Sequence, residues 1–210
     1  MSIAVRDITG VILAGGMGSR MGGVDKGLQD FLGQPLVAHA LSRLRPQVGG
    51  VGINANRHMA QYEALGAPVW PDTNRHFEGP LAGFAAAMAQ CRTPYLLTVP
   101  CDTPRFPLDL AQRLGEALHA VQADIAMVTA PEPDANGQTV LRPQPVFCLL
   151  RTSLQPSLLA FMQSGGRKIE AWTAQHHTVR VPFNGRTDDA QSFFNINTLE
   201  QLQSFASQQP

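Results

Sequence analysis

GVILAGGMGSRMGGVDKG, running from Gly10 to Gly27, joins a short apolar run to a glycine-dense segment whose only charged side chains are Arg20, Asp25 and Lys26. The run Val11–Ala14 has the character of a buried strand. Glycines directly after it permit positive φ and let backbone N–H groups approach an anion without interference from Cβ atoms. In open α/β sheets such a loop stands at the carboxyl end of a strand, where ligands bind. A guanidinium and an ammonium beside it can offset charge on a triphosphate as pyrophosphate departs. The spacing is neither of two familiar ones. Met21 stands where a third glycine of GxGxxG would fall, and Lys26 follows Asp25 and precedes Gly27, unlike GxxxxGK[ST]. The bland alternative is a flexible surface loop with three solvated charges.

Outward from this stretch, strand and helix patterns alternate. ITGVILA and YLLTVP read as buried parallel strands, and VGINAN, PVW, DIAMVTA, PVFCLL and HTVRV as weaker ones. From Pro107 onward, Leu110, Leu114, Ala117, Leu118 and Val121 recur at helical spacing. PLVAHALSRL, PLAGFAAAMAQ, SLLAFMQS and LEQLQSFA give four more helices. This alternation predicts an α/β fold with right-handed crossovers and a mostly parallel sheet covered by helices on both faces. APEPDANGQT reads as the one long loop.

The chain has 210 residues, enough for one compact domain that buries about 70% of its unfolded surface. Sixteen basic and sixteen acidic residues cancel, so charge predicts neither a nucleic-acid partner nor an anionic membrane. No apolar run reaches the roughly 18 residues of a membrane span, and MSIAVRDITG lacks a secretory apolar core, which predicts a cytoplasmic protein. Cys91, Cys101 and Cys148 form no CxxC or zinc spacing and read as free thiols. The histidines form no metal-ligand pattern, and no Ser or Cys has an evident base for covalent catalysis.

Several downstream segments carry both a structural and a chemical reading. Asp102 in TVPCDTP ends a strand at the same sheet edge as the glycine loop, so it is either a turn residue or a carboxylate for Mg²⁺. GPLAG, Gly79 to Gly83, opens a helix, and its bare backbone could also read a base edge. Asn54 and Asn56 in INANRH are either helix caps or hydrogen-bonding groups for a nucleotide. In SFFNINTLEQL, Thr198 and Gln201 have the spacing of a capping box, which leaves Asn195 and Asn197 for other work. Arg167 and Lys168 follow two glycines, where they meet either solvent or a second phosphate.

LAGGMGSRMGGVDKGL resembles the signature of the molybdenum cofactor guanylyltransferases, the MobA family, within the Rossmann-like nucleotide-diphospho-sugar transferase fold. The resemblance spans about residues 9–206 and is densest in the first half. It implies a single nucleotidyltransferase domain over residues 1–210, with GTP and Mg²⁺ bound by about residues 8–105 and molybdopterin by about residues 106–207. It implies catalytic roles for Arg20, Lys26 and Asp102, with Asp102 the metal ligand for Mg²⁺ or, in its place, Mn²⁺. It implies nucleotide contacts from Leu13, Ala14, Gly15, Gly16, Lys26, Asn54, Asp72, Gly79, Pro80, Leu81 and Asp102, and molybdopterin contacts from Arg167, Lys168, Asn195 and Asn197. Leu199 replaces the family's usual Pro, and Gln144 stands where many relatives carry His.

The implied reaction is transfer of GMP from GTP to molybdopterin, or its molybdenum-loaded form, with release of pyrophosphate. The expected partners are these two small molecules, with transient contacts to cofactor biosynthesis proteins or target apo-enzymes, and the expected state is a monomer. A cytidylyltransferase on the same pterin, a sugar- or alditol-phosphate nucleotidyltransferase and a non-catalytic nucleotide-binding module are the competing readings. GPLAG argues against the first, the short second half against the second, and retention of the Arg, Lys and Asp together against the third.

Overall fold

The computed structural model describes residues 3–15, 24–73 and 79–207. Among the described residues seven strands form one sheet in which β1 (Ile8–Leu13) is an interior strand, and a two-residue turn joins β2 (Asp30–Phe31) and β3 (Gln34–Pro35) into a separate short hairpin. Helix α1 (Leu36–Leu44) leads to β4 (Gly50–Asn54), α2 (Met59–Glu63) to β5 (Val69–Trp70), and α3 (Pro80–Gln90) to β6 (Tyr95–Pro100). After α4 (Leu110–Ala120) come β7 (Ile125–Pro133) and β8 (Thr139–Arg151), then α5 (Gln155–Gln163), α6 (Ile169–Thr173), β9 (Thr178–Pro182) and α7 (Leu199–Ser207). The strand order is β5-β4-β1-β6-β8-β7-β9. Only β8 runs against the rest, pairing antiparallel with both β6 and β7, so the sheet is mostly parallel as expected.

Alternation along the strands explains the two helical layers. Ile8 and Ile12 of β1, with Leu97 and Val99 of β6, join the core covered by α1 and α4. Val11 and Leu96 point the other way, into the core built with α3, α5 and α6, where Trp172 is fully buried. Both faces of β1 are dry. That is why its sequence reads as a continuous apolar run.

Three details differ from the sequence reading. APEPDANGQT is a β-hairpin: β7 continues to Pro133, β8 starts at Thr139, and Asp134 Oδ1 accepts the N–H groups of Asn136 and Gln138 across the turn. Polar composition hid strands that project beyond the core, where alternation between inside and outside no longer applies. The helix expected from Pro107 begins at Leu110, where Gln47 reaches in from the 3₁₀ turn Arg45–Gln47 that follows α1. Its Nε2 donates to the Pro107 carbonyl and its Oε1 accepts the Ala111 N–H, so a side chain organises the first turn. Val121, beyond the end of α4, is 48% exposed and does not belong to the apolar stripe. α2, α6 and the β2–β3 hairpin were too short to carry a periodic signal.

Candidate active site

The parallel strands β1, β4 and β6 end side by side, with Leu13 level with Asn54 on one side and Pro100 on the other. The Ala14 N–H donates to the Asn54 carbonyl at 2.8 Å, and the Cys101 N–H to the Leu13 carbonyl at 3.1 Å. The Ala14 N–H therefore anchors the start of the glycine loop to β4. Gly16 and Arg20 lie outside the described residues.

On one side of β1, Asn54, Asn56 and Asp72 form an open triangle with Asp72 at its apex. Asn54 Nδ2 donates to the Trp70 carbonyl and to Asp72 Oδ1, both at 2.9 Å, and Asn56 Nδ2 donates to Asp72 Oδ2 at 2.7 Å. The Asp72 N–H returns a bond to Asn56 Oδ1. Two amides thus fix both oxygens of one carboxylate. The sequence offers Asn56 only as an alternative to Asn54, and the structure makes it the third corner.

The helix of GPLAG closes over this triangle. Gly79, at φ +85°, turns the chain into α3, and Pro80 takes the first helical position. Leu81 is fully buried in the core on the α3 side of the sheet. Gly83 lies against Asn54: a Cβ there would stand 2.5 Å from Asn54 Oδ1 and 2.9 Å from Leu13 Cδ2. Ala in a helix interior ordinarily stabilises relative to Gly by about 0.5–1 kcal/mol. Here the sign reverses. Gly83→Ala is expected to destabilise by about 1–3 kcal/mol through overpacking, measured by urea unfolding. A variant as stable as the parent would show that Asn54 can move aside.

On the other side of β1, Lys26, Asp102 and Asn197 meet. Lys26 opens a single 3₁₀ turn, Lys26–Leu28, and its Nζ lies 2.5 Å from Asp102 Oδ2 and donates to Asn197 Oδ1 at 2.9 Å. The Lys26 and Asp102 side chains are 18% and 20% exposed, so water reaches the pair from one side. The segment before α7 docks here through two further bonds and is braced by a third to α7 itself. Thr103 Oγ1 donates to Asn195 Oδ1, the Ile196 N–H to the Asp102 carbonyl, and the Asn197 N–H to Gln201 Oε1. Thr198 Oγ1 accepts the Gln201 N–H, as the capping-box spacing predicts, but Gln201 returns its bond one residue earlier, to Asn197. The cap of α7 therefore also orients Asn197.

Not every residue singled out in the sequence converges here. Arg167 Nη1 donates to the Met162 and Gly166 carbonyls, and Lys168 precedes α6; neither forms a hydrogen bond or ion pair with Lys26 or Asp102. The sequence reading also passed over Tyr62, fully buried in α2, whose hydroxyl donates to Asp25 Oδ1 at 2.5 Å. No motif marks it, because the pairing spans 37 residues. Burial, and then the bond to Asp25, push the Tyr62 phenol well above its usual range. Burial likewise raises the Cys101 and Cys148 thiols, which keeps both in the weakly nucleophilic protonated form.

The MobA-like NTP transferase domain family matches residues 10–179. The chain belongs to this family. Relatives agree over nearly the whole length. The chain is 61% identical over 203 residues to the molybdenum cofactor guanylyltransferase of Albidiferax ferrireducens, covering 95% of this chain and 96% of that one. It is 56% identical over 201 residues to the enzyme of that name from Bordetella pertussis, covering 96% and 98%. Among solved structures, molybdopterin-guanine dinucleotide biosynthesis protein A from Archaeoglobus fulgidus superposes with a TM-score of 0.74 at 22% identity, covering 95% of this chain and 97% of that one. A 4-diphosphocytidyl-2C-methyl-D-erythritol synthase from Anaerococcus prevotii superposes at 0.69 with 11% identity, covering 97% and 98%. These likenesses show the nucleotide-diphospho-sugar transferase-like fold. Ala14 at the start of the glycine loop, Gly83 of GPLAG and Cys101 of PCDTP all lie against the carboxyl ends of β1 and β4.

No described helix is long and apolar enough to cross a membrane. Among the described residues no cluster of three or more His, Cys, Asp or Glu side chains could hold a metal ion.

Proposed function

We propose that the chain transfers GMP from GTP to molybdopterin, forming the guanine dinucleotide form of the molybdenum cofactor and releasing pyrophosphate. The observation that carries this reading is the convergence of Lys26 and Asp102, 76 residues apart, at the loop end of β1 in a chain 61% identical to a guanylyltransferase. The terminal phosphate of the pterin attacks the α-phosphorus of GTP, a new P–O bond forms, and the α–β bridging bond breaks as pyrophosphate leaves. The nucleophile is already anionic, so no general base is required. Positioning and charge neutralisation carry the acceleration.

Each residue has a task in this reading. Leu13 to Gly16 bring backbone to the nucleotide, and Lys26, with Arg20, offsets phosphate charge. Asp72, its oxygens fixed by Asn54 and Asn56, presents acceptors to a donor-bearing group of the nucleotide, while Gly79, Pro80 and Leu81 border the base through their backbone. Asp102 fits Mg²⁺ as a hard oxygen donor: Oδ2 meets Lys26, while among the described residues Oδ1 has a 3.4 Å contact from Thr103 Oγ1. One carboxylate with phosphate oxygens and waters is a normal Mg²⁺ environment, and Mn²⁺ accepts the same donors. When bound, the ion would supply charge neutralisation to the phosphates.

The C-terminal half, about residues 106–207, takes the pterin in this reading, with Asn195 and Asn197 nearest the reacting phosphates and Arg167 and Lys168 at a separate position. The enzyme acts as a cytoplasmic monomer, meeting cofactor biosynthesis proteins or apo-enzymes only transiently. GTP with Mg²⁺ is expected to raise the melting temperature by several degrees and CTP with Mg²⁺ by much less, read by differential scanning fluorimetry. Pyrophosphate release should depend on both GTP and molybdopterin. Equal protection by CTP would favour the cytidylyltransferase reading, and GTP binding without turnover in the presence of pterin would favour a non-catalytic module.

A further inference from the structure

Three consecutive residues, Asp25, Lys26 and Gly27, face two ways. Lys26 reaches out to Asp102 and Asn197, while its neighbours both lie against Tyr62. The Asp25 carboxylate, 7% exposed, receives the Tyr62 hydroxyl, and a Cβ on Gly27 would stand 2.5 Å from that same Oη. The Asp25 carbonyl in turn accepts the Leu28 N–H and Gln29 Nε2, closing the turn that begins at Lys26. The flexible stem of a lysine does not by itself hold its ammonium in one place. Its backbone must be fixed first.

We infer that Tyr62 is a positioning residue for Lys26, with its hydrogen bond to Asp25 tethering the turn from which the ammonium reaches the phosphates. The tether runs from the interior of α2 to the start of the turn, and Gly27 is the residue that lets the phenol come close enough. Stability alone does not call for a buried carboxylate and phenol here, since apolar side chains of similar volume would pack as well. Burial holds the phenol protonated, so it remains a donor at any working pH. The inference rests on the reading that Lys26 acts on the nucleotide phosphates.

The test compares Tyr62→Phe, the double variant Tyr62→Phe/Asp25→Asn and Lys26→Ala. For each, kcat is read from pyrophosphate release at saturating GTP and molybdopterin, GTP affinity from calorimetry without acceptor, and stability from the melting temperature. Tyr62→Phe is expected to lower kcat by about 10–100-fold, the scale of a small misplacement of a catalytic group, while GTP affinity changes less. The double variant removes the buried charge left without its donor. It is expected to recover melting temperature and to keep the low kcat. A parental kcat in Tyr62→Phe, or a kcat that returns with the melting temperature in the double variant, would overturn the inference. If Tyr62→Phe does not fold, the double variant alone decides by its kcat. A parental kcat in Lys26→Ala would instead overturn the reading of Lys26, and the inference with it.

Discussion

Lys26→Ala is expected to lower kcat by about 10²–10³-fold, the usual loss when one group that stabilises developing transition-state charge is removed. The ammonium sits where three parts of the chain meet: the turn after the glycine loop, the end of β6 through Asp102, and the segment before α7 through Asn197. Charge moves toward the leaving pyrophosphate as the α–β bond breaks, so a cation beside the phosphates contributes more in the transition state than in the ground state. The fold is expected to survive, because the ion pair is partly solvated and the 195–197 segment keeps its bonds to Thr103 and to the Asp102 carbonyl, with its brace from Gln201. Lys26→Arg is not a conservative replacement, since a planar fork cannot reproduce one ammonium donating to Asp102 and Asn197 from a compact point. Steady-state pyrophosphate release, with a melting curve as control, reads both parts. A folded Lys26→Ala enzyme with a parental kcat would refute the assignment.

Asp102→Asn is expected to cost at least about 10²-fold in turnover and to shift the dependence on Mg²⁺ to higher concentration. The amide is isosteric and still accepts from Lys26, and the backbone carbonyl of residue 102 still receives the Ile196 N–H. What is lost is the negative charge, and with it the anionic donor for a hard cation. A rate-against-Mg²⁺ titration separates the two roles of this carboxylate. If Asp102 serves only to orient Lys26, the amide variant keeps the parental Mg²⁺ curve, and the metal-ligand role fails.

Much of this was legible in the sequence, for identifiable reasons. Val11 and Ile12 face opposite dry layers, so β1 had to be uniformly apolar, and the glycines after it had to follow directly on the strand. Thr198 and Gln201 announced the start of α7 because capping is local chemistry at fixed spacing. Local rules failed where a distant side chain intervenes. Gln47 bonds to the start of α4 from the 3₁₀ turn that follows α1, and the β7–β8 hairpin extends past the core into solvent, where composition mimics a loop.

The sequence by itself determined the alternation of the main strands and helices, the glycine-rich segment that follows β1 and the family resemblance, because all of these are written in contiguous residues. Only the tertiary structure decided that Asn197 and Lys26 share a hydrogen bond across 171 residues, that Asn56 completes the grip on Asp72, and that Tyr62 holds Asp25. Those pairings depend on which strand ends lie side by side. Parallel crossovers bring such ends together from any separation in the chain, so no spacing in the sequence records them.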